Sequence, residues 1–284
     1  MSKNPFTVLE IGSGSFKLHK NNAFSLRFQS SLGKGLKGNT LNPDSVKIAL
    51  NSIENQILPF LEEHDIKPND VLVFATAAIR RAIKDKSGSG KEFINKLINF
   101  GFSYIKIFSE DEECNYAAWA VLEEIKDFHS DFLMLDTGGA SHQLVEFKSG
   151  KISHKTSVPI GSHSDLRTVE LPDFQERGFT PGLPLAIIGT TGLIINNLIN
   201  LSRNTLREAS ETLQVQSIEE RREFLKAMAP NPEIYNLLVD FRLAVLPNAF
   251  KIVYNCAENL KINHFLESES QAMDFVSKYG FVAE

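Results

Sequence analysis

The chain has 284 residues, of which 42% are hydrophobic and 23% charged, and its formal net charge is −5. This length and composition are typical of a globular protein with one large domain or two ordinary ones, and they exclude a disordered or fibrous chain. No apolar run is long enough to span a membrane, and the acidic balance argues against bulk binding to nucleic acid. Neither a membrane nor a specific nucleic-acid partner is therefore expected.

Short apolar runs and their breakers predict the elements in chain order. Strands are expected at residues 6–10, 24–28, 71–74, 104–108, 132–135 and 185–188, with a hairpin formed by 142–147 and 151–158. Helices are expected from Asn42-Pro43 to a kink or end at Pro59, and at 75–82, 110–126, 205–229 and 233–260. Residues 85–92 lack the pattern of a phosphate loop and predict a flexible basic loop. Strands that alternate with helices indicate an α/β fold with mixed sheets.

Charge and cysteine usage add two expectations. Residues 11–43 contain no Asp or Glu but five Lys or Arg, and a second basic cluster surrounds Arg80 and Arg81. A solvated face and a cleft that attracts a polyanion both fit this pattern. Cys114 and Cys256 are the only cysteines, and the first residues lack the apolar core of a signal peptide. One disulfide is allowed by count, but the sequence favours free thiols and a cytoplasmic location.

Two segments resemble each other at a constant offset of 126 residues. Val8 to Ser15 aligns with Met134 to Ser141, and each reads apolar, apolar, acid, any residue, Gly, small, small, Ser. The repeat predicts a duplicated architecture with domains at 1–128 and 129–284.

A carboxylate at a strand end followed by a glycine-rich turn has a chemical use. Glycines let backbone N–H groups approach a phosphate, and the neighbouring carboxylate can hold Mg²⁺. Two such turns facing each other would form a phosphoryl-transfer site between two domains. Two ordinary strand-end turns are the alternative.

The same turns resemble those of the exopolyphosphatase and guanosine-pentaphosphate phosphatase (Ppx/GppA) family, within the actin-like ATPase superfamily. Three further segments fit in order: Leu32 to Leu36, Ala75 to Ala82 (Ala-Thr-Ala-Ala-Ile-Arg-Arg-Ala), and Ile107 to Glu113. Val158-Pro159-Ile160-Gly161 and the turn at 189–192 also fall where the family has such segments. The resemblance implies two ribonuclease-H-like (actin-like ATPase) α/β domains with an interdomain cleft, and a last helix that packs back on the first domain.

The resemblance also implies a function and the roles of individual residues. The expected activity is Mg²⁺-dependent release of terminal phosphate from inorganic polyphosphate or guanosine pentaphosphate. Glu113 would be the general base for the attacking water, and Arg80 would bind phosphate oxygens. Asp136 and Glu10 would hold the metal. The expected phosphate-binding residues are Gly12, Ser13, Gly14, Ser15, Gly138, Gly139 and Ser141.

Three departures from the family pattern leave an alternative open. Glu10 replaces an aspartate, Gln143 replaces a carboxylate of the metal region, and the C-terminal Gly-Leu-Arg-Glu-Gly signature is not recovered near residues 267–273. A phosphate- or nucleotide-binding sensor without catalysis is therefore the second hypothesis, and a phosphotransferase similar to sugar kinases is a third. The sequence leaves open whether the protein is a monomer or a homodimer.

Overall fold

The computed structural model describes residues 5–36, 38–125 and 130–282. Contacts divide the chain into two compact units, the first comprising Met1–Ala117 with Ala272–Glu284 and the second Ala118–Gln271. The predicted limits, 1–128 and 129–284, differ from this grouping at residues 118–128 and 272–284. The predicted boundary itself lies outside the described residues.

The first unit is built on a five-stranded sheet with the order β3-β2-β1-β4-β5. Its elements are β1 (Thr7–Ile11), β2 (Ser15–Lys20), β3 (Phe24–Gln29), α1 (Pro43–Ser52), α2 (Leu58–Glu63), β4 (Val71–Ala75), α3 (Ala77–Ile83), α4 (Ser89–Asn99), β5 (Tyr104–Ile107) and α5 (Glu110–Glu124). β1 pairs antiparallel with β2 and parallel with β4.

The predicted first helix starts as expected but passes through Pro59. Asn42 caps α1, because its side chain accepts hydrogen bonds from the amides of Asp44 and Ser45. A π-helix, Ile53–Ile57, follows directly, and α2 begins at Leu58 with Pro59 in its first turn. Proline lacks the N–H that an uninterrupted α-helix requires, and the wider turn before it accommodates that loss. The helical segment therefore continues to Glu63.

The second unit repeats this arrangement, with the sheet order β10-β9-β6-β7-β8. Its elements are β6 (Phe132–Thr137), β7 (His142–Lys148), β8 (Lys151–Val158), β9 (Leu185–Ile188), α6 (Gly189–Ile195), α7 (Arg203–Val215), α8 (Ile218–Met228), α9 (Asp240–Leu243), α10 (Leu246–Asn259) and β10 (Phe265–Leu266). β6 pairs antiparallel with β7 and parallel with β9, as β1 does with β2 and β4. The predicted duplication and α/β class are confirmed.

Three predicted segments differ from the structure for identifiable reasons. The flexible loop predicted at 85–92 is wrong in its second half, because α4 starts at Ser89 and Gly90 packs against α3. A Cβ atom at residue 90 would lie 2.5 Å from the carbonyl carbon of Ala82. The helix predicted at 205–229 is broken at Ser217, which forms a capping box with Glu220 and starts α8. Residues 233–260 likewise form short helices before α10.

The last helix, α11 (Ala272–Tyr279), packs on the first unit, as the resemblance implied. The Ser277 hydroxyl donates to the backbone oxygen of Phe6 at 2.7 Å and accepts a hydrogen bond from the amide of Asn21. Met273 and Val276 of this helix are buried. These contacts add α11 to the first unit although 154 residues of the second unit precede it.

Cys114 and Cys256 are both buried free thiols, as predicted. Within the described residues, no helix is both long enough and apolar enough to cross a membrane.

Candidate functional site

The first acid–glycine turn, Glu10–Ser15, is held from one side by the segment that follows β3. The amide of Gly33 donates to the Ser13 oxygen at 2.7 Å, and the amide of Ser30 donates to the Gly14 oxygen at 3.2 Å. The Ser30 hydroxyl donates to the Gly12 oxygen at 2.7 Å. A trans peptide directs its C=O and N–H in opposite directions. The N–H groups that follow these carbonyls therefore point away from the bracing segment, as anion binding requires.

The second acid–glycine turn, Asp136–Ser141, is braced in the same way by the segment after β8. The amide of Ser162 donates to the Gly138 oxygen at 3.0 Å, and the amide of His163 donates to the Gly139 oxygen at 2.8 Å. The Gly138 amide, predicted to donate to phosphate, instead donates to the Ser141 oxygen at 2.9 Å. The amides of Gly139 and Ala140 follow braced carbonyls and are the better candidates for binding an anion.

Glycine is required where the bracing segment meets the second turn. A Cβ atom at residue 161 would lie 2.4 Å from the carbonyl carbon of Gly139, inside any allowed contact. A Cβ atom at residue 12 in the first turn would lie 2.6 Å from the Ser15 oxygen. Both turns therefore depend on close backbone approach that no side chain would permit.

The two turn carboxylates have different neighbours across the sheet. Glu10 is directly paired with Lys17, whose Nζ donates to both carboxylate oxygens at 3.2 and 3.0 Å. Asp136 is directly paired with Gln143, a buried amide that donates to the Ser141 hydroxyl oxygen at 2.9 Å. Lys17 was not among the predicted site residues, although it lies seven residues after Glu10, just beyond the glycine-rich turn.

Asp136 also lies against the start of α6. Gly189 has φ +75°, and a Cβ atom there would be 2.7 Å from the Asp136 Oδ1 atom. The glycine predicted in the turn at 189–192 therefore leaves space for this carboxylate.

Arg80 and Glu113, the predicted catalytic residues, form an ion pair in the first unit. The Arg80 Nη1 atom lies 2.7 Å from Glu113 Oε2 and also donates to the Phe108 oxygen at 3.0 Å. Their side chains are 10% and 14% exposed, so the pair is largely but not fully buried. A guanidinium held in this way can stabilise charge on a phosphate, while the carboxylate can orient a water molecule.

Neighbouring charged residues have separate roles. The Ser109 hydroxyl accepts from the Glu112 amide and Glu112 accepts from the Ser109 amide, so this pair is the capping box of α5. Burial acts to raise the pKa of Glu112, but hydrogen bonds from Lys106 and Ser109 outweigh it and lower that pKa.

Arg81 was not predicted as a site residue. Burial and the adjacent Arg80 lower its pKa, against the opposing effect of Glu110 and Glu113.

The donor set can be tested against Mg²⁺, the metal that the resemblance implies. Among residues 5–36, 38–125 and 130–282, no group of three or more His, Cys, Asp or Glu side chains could hold a metal ion. One carboxylate together with substrate phosphate and water is nevertheless a common Mg²⁺ environment. Asp136, whose cross-strand neighbour is the amide of Gln143, supplies one such carboxylate. Glu10 fits this environment poorly, because an ammonium group contacts both of its oxygens.

Solved structures share this architecture over nearly the whole chain. An exopolyphosphatase from Cytophaga hutchinsonii has a TM-score of 0.74 at 15% identity, covering 95% of this chain and 96% of that chain. An exopolyphosphatase-like protein also has a TM-score of 0.74, at 17% identity, covering 97% and 98%. A Ppx/GppA family member from Aquifex aeolicus has a TM-score of 0.63 at 18% identity, covering 95% of each chain.

The duplicated sheets and these likenesses define a protein of the actin-like ATPase fold class, as predicted. No curated protein sequence matches the chain. The family is shown by its sequence profile, which matches residues 7–169, more than half of the chain. The chain belongs to the Ppx/GppA phosphatase family.

Proposed function

We propose that the protein is a phosphohydrolase that releases terminal phosphate from inorganic polyphosphate or from guanosine pentaphosphate. The observation that carries the proposal is the Arg80–Glu113 ion pair, formed by the two residues expected to perform catalysis. Family membership supports a phosphatase reaction. The exopolyphosphatase likenesses support the fold in which such a reaction takes place.

In the proposed reaction, water attacks the terminal phosphorus while the bond to the bridging oxygen breaks. Glu113 orients the water and accepts its proton, and the shortened chain leaves with its bridging oxygen. The Arg80 guanidinium stabilises charge on the phosphoryl oxygens. The amides of the braced turns donate to phosphate oxygens, and their rigidity reduces the cost of positioning the substrate.

Mg²⁺ would be held by Asp136 and would neutralise charge on the phosphate oxygens when bound. The neutral Gln143 beside Asp136 leaves one carboxylate for this role. The interdomain cleft stays a prediction, and so does the role of each turn residue in binding phosphate. The cytoplasm remains the proposed compartment, where two free thiols are ordinary.

Phosphate release from polyphosphate and from guanosine pentaphosphate tests the proposal directly. Wild type is compared with Glu113→Gln and with Glu110→Gln, an exposed carboxylate at the start of the same helix, α5. Loss of the general base should lower kcat by roughly 100-fold or more. The control should stay within about twofold because its charge does not contact the reacting atoms.

The sensor hypothesis is favoured by the amide of Gln143, which stands where the family has a carboxylate. It predicts binding without turnover. No phosphate release by wild type with either Mg²⁺ or Mn²⁺ present would contradict the hydrolase proposal. Calorimetry that then shows tight polyphosphate binding would support the sensor.

A further inference from the structure

The duplication reveals a difference in charge between the two acid–glycine turns. Adding the 126-residue offset to Glu10 and Lys17 gives Asp136 and Gln143, and both pairs are directly opposite each other across antiparallel strands. An ammonium group therefore faces the first carboxylate, at the position where a neutral amide faces the second. Equivalent backbone positions carry different chemistry.

The Lys17 ammonium group contacts both oxygens of the Glu10 carboxylate, and both side chains are largely shielded from water. Lys17 Nζ lies 3.2 Å from Oε1 and 3.0 Å from Oε2, and the two side chains are 12% and 13% exposed. A metal ion at Glu10 would have to displace the ammonium group. That displacement would leave the lysine charge largely buried without its partner, which is strongly unfavourable.

A second positively charged residue, Arg27, lies beside Lys17 in the sheet. Arg27 is directly paired with Lys17 on the next strand, so Glu10, Lys17 and Arg27 lie on one face of the sheet. Burial lowers the pKa of Arg27, although Glu10 and Asp274 act in the opposite direction. A divalent cation at Glu10 would therefore meet two positive groups, Lys17 and Arg27, on the same face of the sheet.

We propose that Lys17 takes the place of a metal ion at the first turn, so that divalent cations bind at Asp136 and not at Glu10. The positive charge at the first turn is then permanent and independent of metal concentration. The claim that divalent cations bind at Asp136 rests on the proposed function. The claim that Lys17 replaces a metal ion at Glu10 rests on the geometry of the first unit alone.

Mn²⁺ binding to the full-length protein, counted by electron paramagnetic resonance, tests the inference without an activity assay. The variants are Glu10→Gln, Asp136→Asn, Lys17→Met, the Glu10→Gln/Lys17→Met double variant and the control Lys20→Met. Glu10→Gln should leave wild-type affinity within about twofold, whereas Asp136→Asn should lower it at least tenfold. Lys17→Met should add a site that the double variant lacks, and Lys20→Met should add none.

A tenfold loss of Mn²⁺ affinity in Glu10→Gln would overturn the inference, and so would the absence of an added site in a folded Lys17→Met protein. A wild type that binds no Mn²⁺ contradicts the metal of the proposed function, while the Lys17→Met comparison still decides the role of Lys17. If Lys17→Met fails to fold, nuclear magnetic resonance of the wild-type Lys17 ammonium decides the question. The Lys17 ammonium signal should be unchanged by millimolar Mg²⁺. Disappearance of that signal when Mg²⁺ is added would contradict the inference.

Discussion

Arg80 in α3 donates a 2.7 Å hydrogen bond to Glu113 in α5, across 33 residues of sequence. The same nitrogen donates to the backbone oxygen of Phe108, just before α5. The second bond holds the guanidinium at the base of the helix, so the arginine sets the orientation of the carboxylate. Two motifs that are separate in sequence thereby become one chemical unit.

Removing one member of this pair should cost stability as well as activity. Arg80→Ala leaves a largely buried carboxylate without this partner, and we expect the free energy of unfolding to fall by about 2 kcal/mol. Arg207→Ala, on an exposed helix surface, should change it by less than about 0.5 kcal/mol. Urea denaturation measures both. In a cycle with Glu113→Gln, additive effects would contradict energetic coupling of the pair.

Gly161→Ala should disrupt the second turn through backbone contact alone. The new methyl group would lie 2.4 Å from the Gly139 carbonyl carbon, so the bracing segment must move. We expect a loss of at least about 2 kcal/mol in unfolding free energy and weaker polyphosphate binding. Gly150→Ala controls for backbone strain, because residue 150 has φ +70° with open space around a Cβ atom. Its cost should be about 1 kcal/mol, with unchanged binding.

His142 should make the folded protein sensitive to mild acid. Its ring is fully buried, its Nδ1 atom lies 2.6 Å from the Ile160 oxygen, and burial lowers its pKa to about 4. The unfolded chain binds the proton near pH 6.5, so stability is full above that pH and falls as the pH drops toward 4. The expected loss is roughly 3 kcal/mol over this window.

Thermal or urea unfolding at several pH values tests this dependence. His142→Gln should flatten the stability profile between pH 7 and 4, whereas His264→Gln, at an exposed position, should leave it unchanged. Equal slopes in wild type and His142→Gln would show that another group causes the acid sensitivity.

Glu146 should anchor the long connection between β8 and β9. Its side chain is 1% exposed and accepts hydrogen bonds from the Thr180 amide at 2.8 Å and the Thr180 hydroxyl at 3.1 Å. Burial acts to raise the pKa of Glu146, but hydrogen bonds from Lys148 and Thr180 outweigh it and lower that pKa. The carboxylate therefore stabilises the fold above the unfolded pKa, and this contribution disappears as the pH falls through the folded pKa.

Glu146→Gln should lower the free energy of unfolding by about 1–3 kcal/mol at pH 7, with a smaller difference near pH 3. Hydrogen exchange should increase at the Thr180 amide. Glu176→Gln, an exposed position in the same connection, is the matched control and should change neither quantity. A difference from wild type that is the same at pH 7 and pH 3 would argue against the carboxylate charge as the cause.

The sequence alone determined the α/β class, the duplication and the family, because these depend on local patterns. Apolar runs predict strands, and the acid–glycine segments recur at a fixed offset regardless of their surroundings. The start of α1 at Asn42 was also predictable, since a capping residue acts on amides only two or three positions away. The strand β2 and the helix α4 were missed because the two lysines of β2 and the glycine at the start of α4 weaken local preferences that packing overrides.

Tertiary structure alone decided which groups meet. The Arg80–Glu113 contact, the bracing of both turns and the attachment of α11 to the first unit join residues far apart in the chain. The ion pair of Glu10 with Lys17 depends on strand register, and a shift of one residue would place the lysine on the opposite face. Composition and spacing do not encode that register directly. It follows from burial of one sheet face, which requires the folded core.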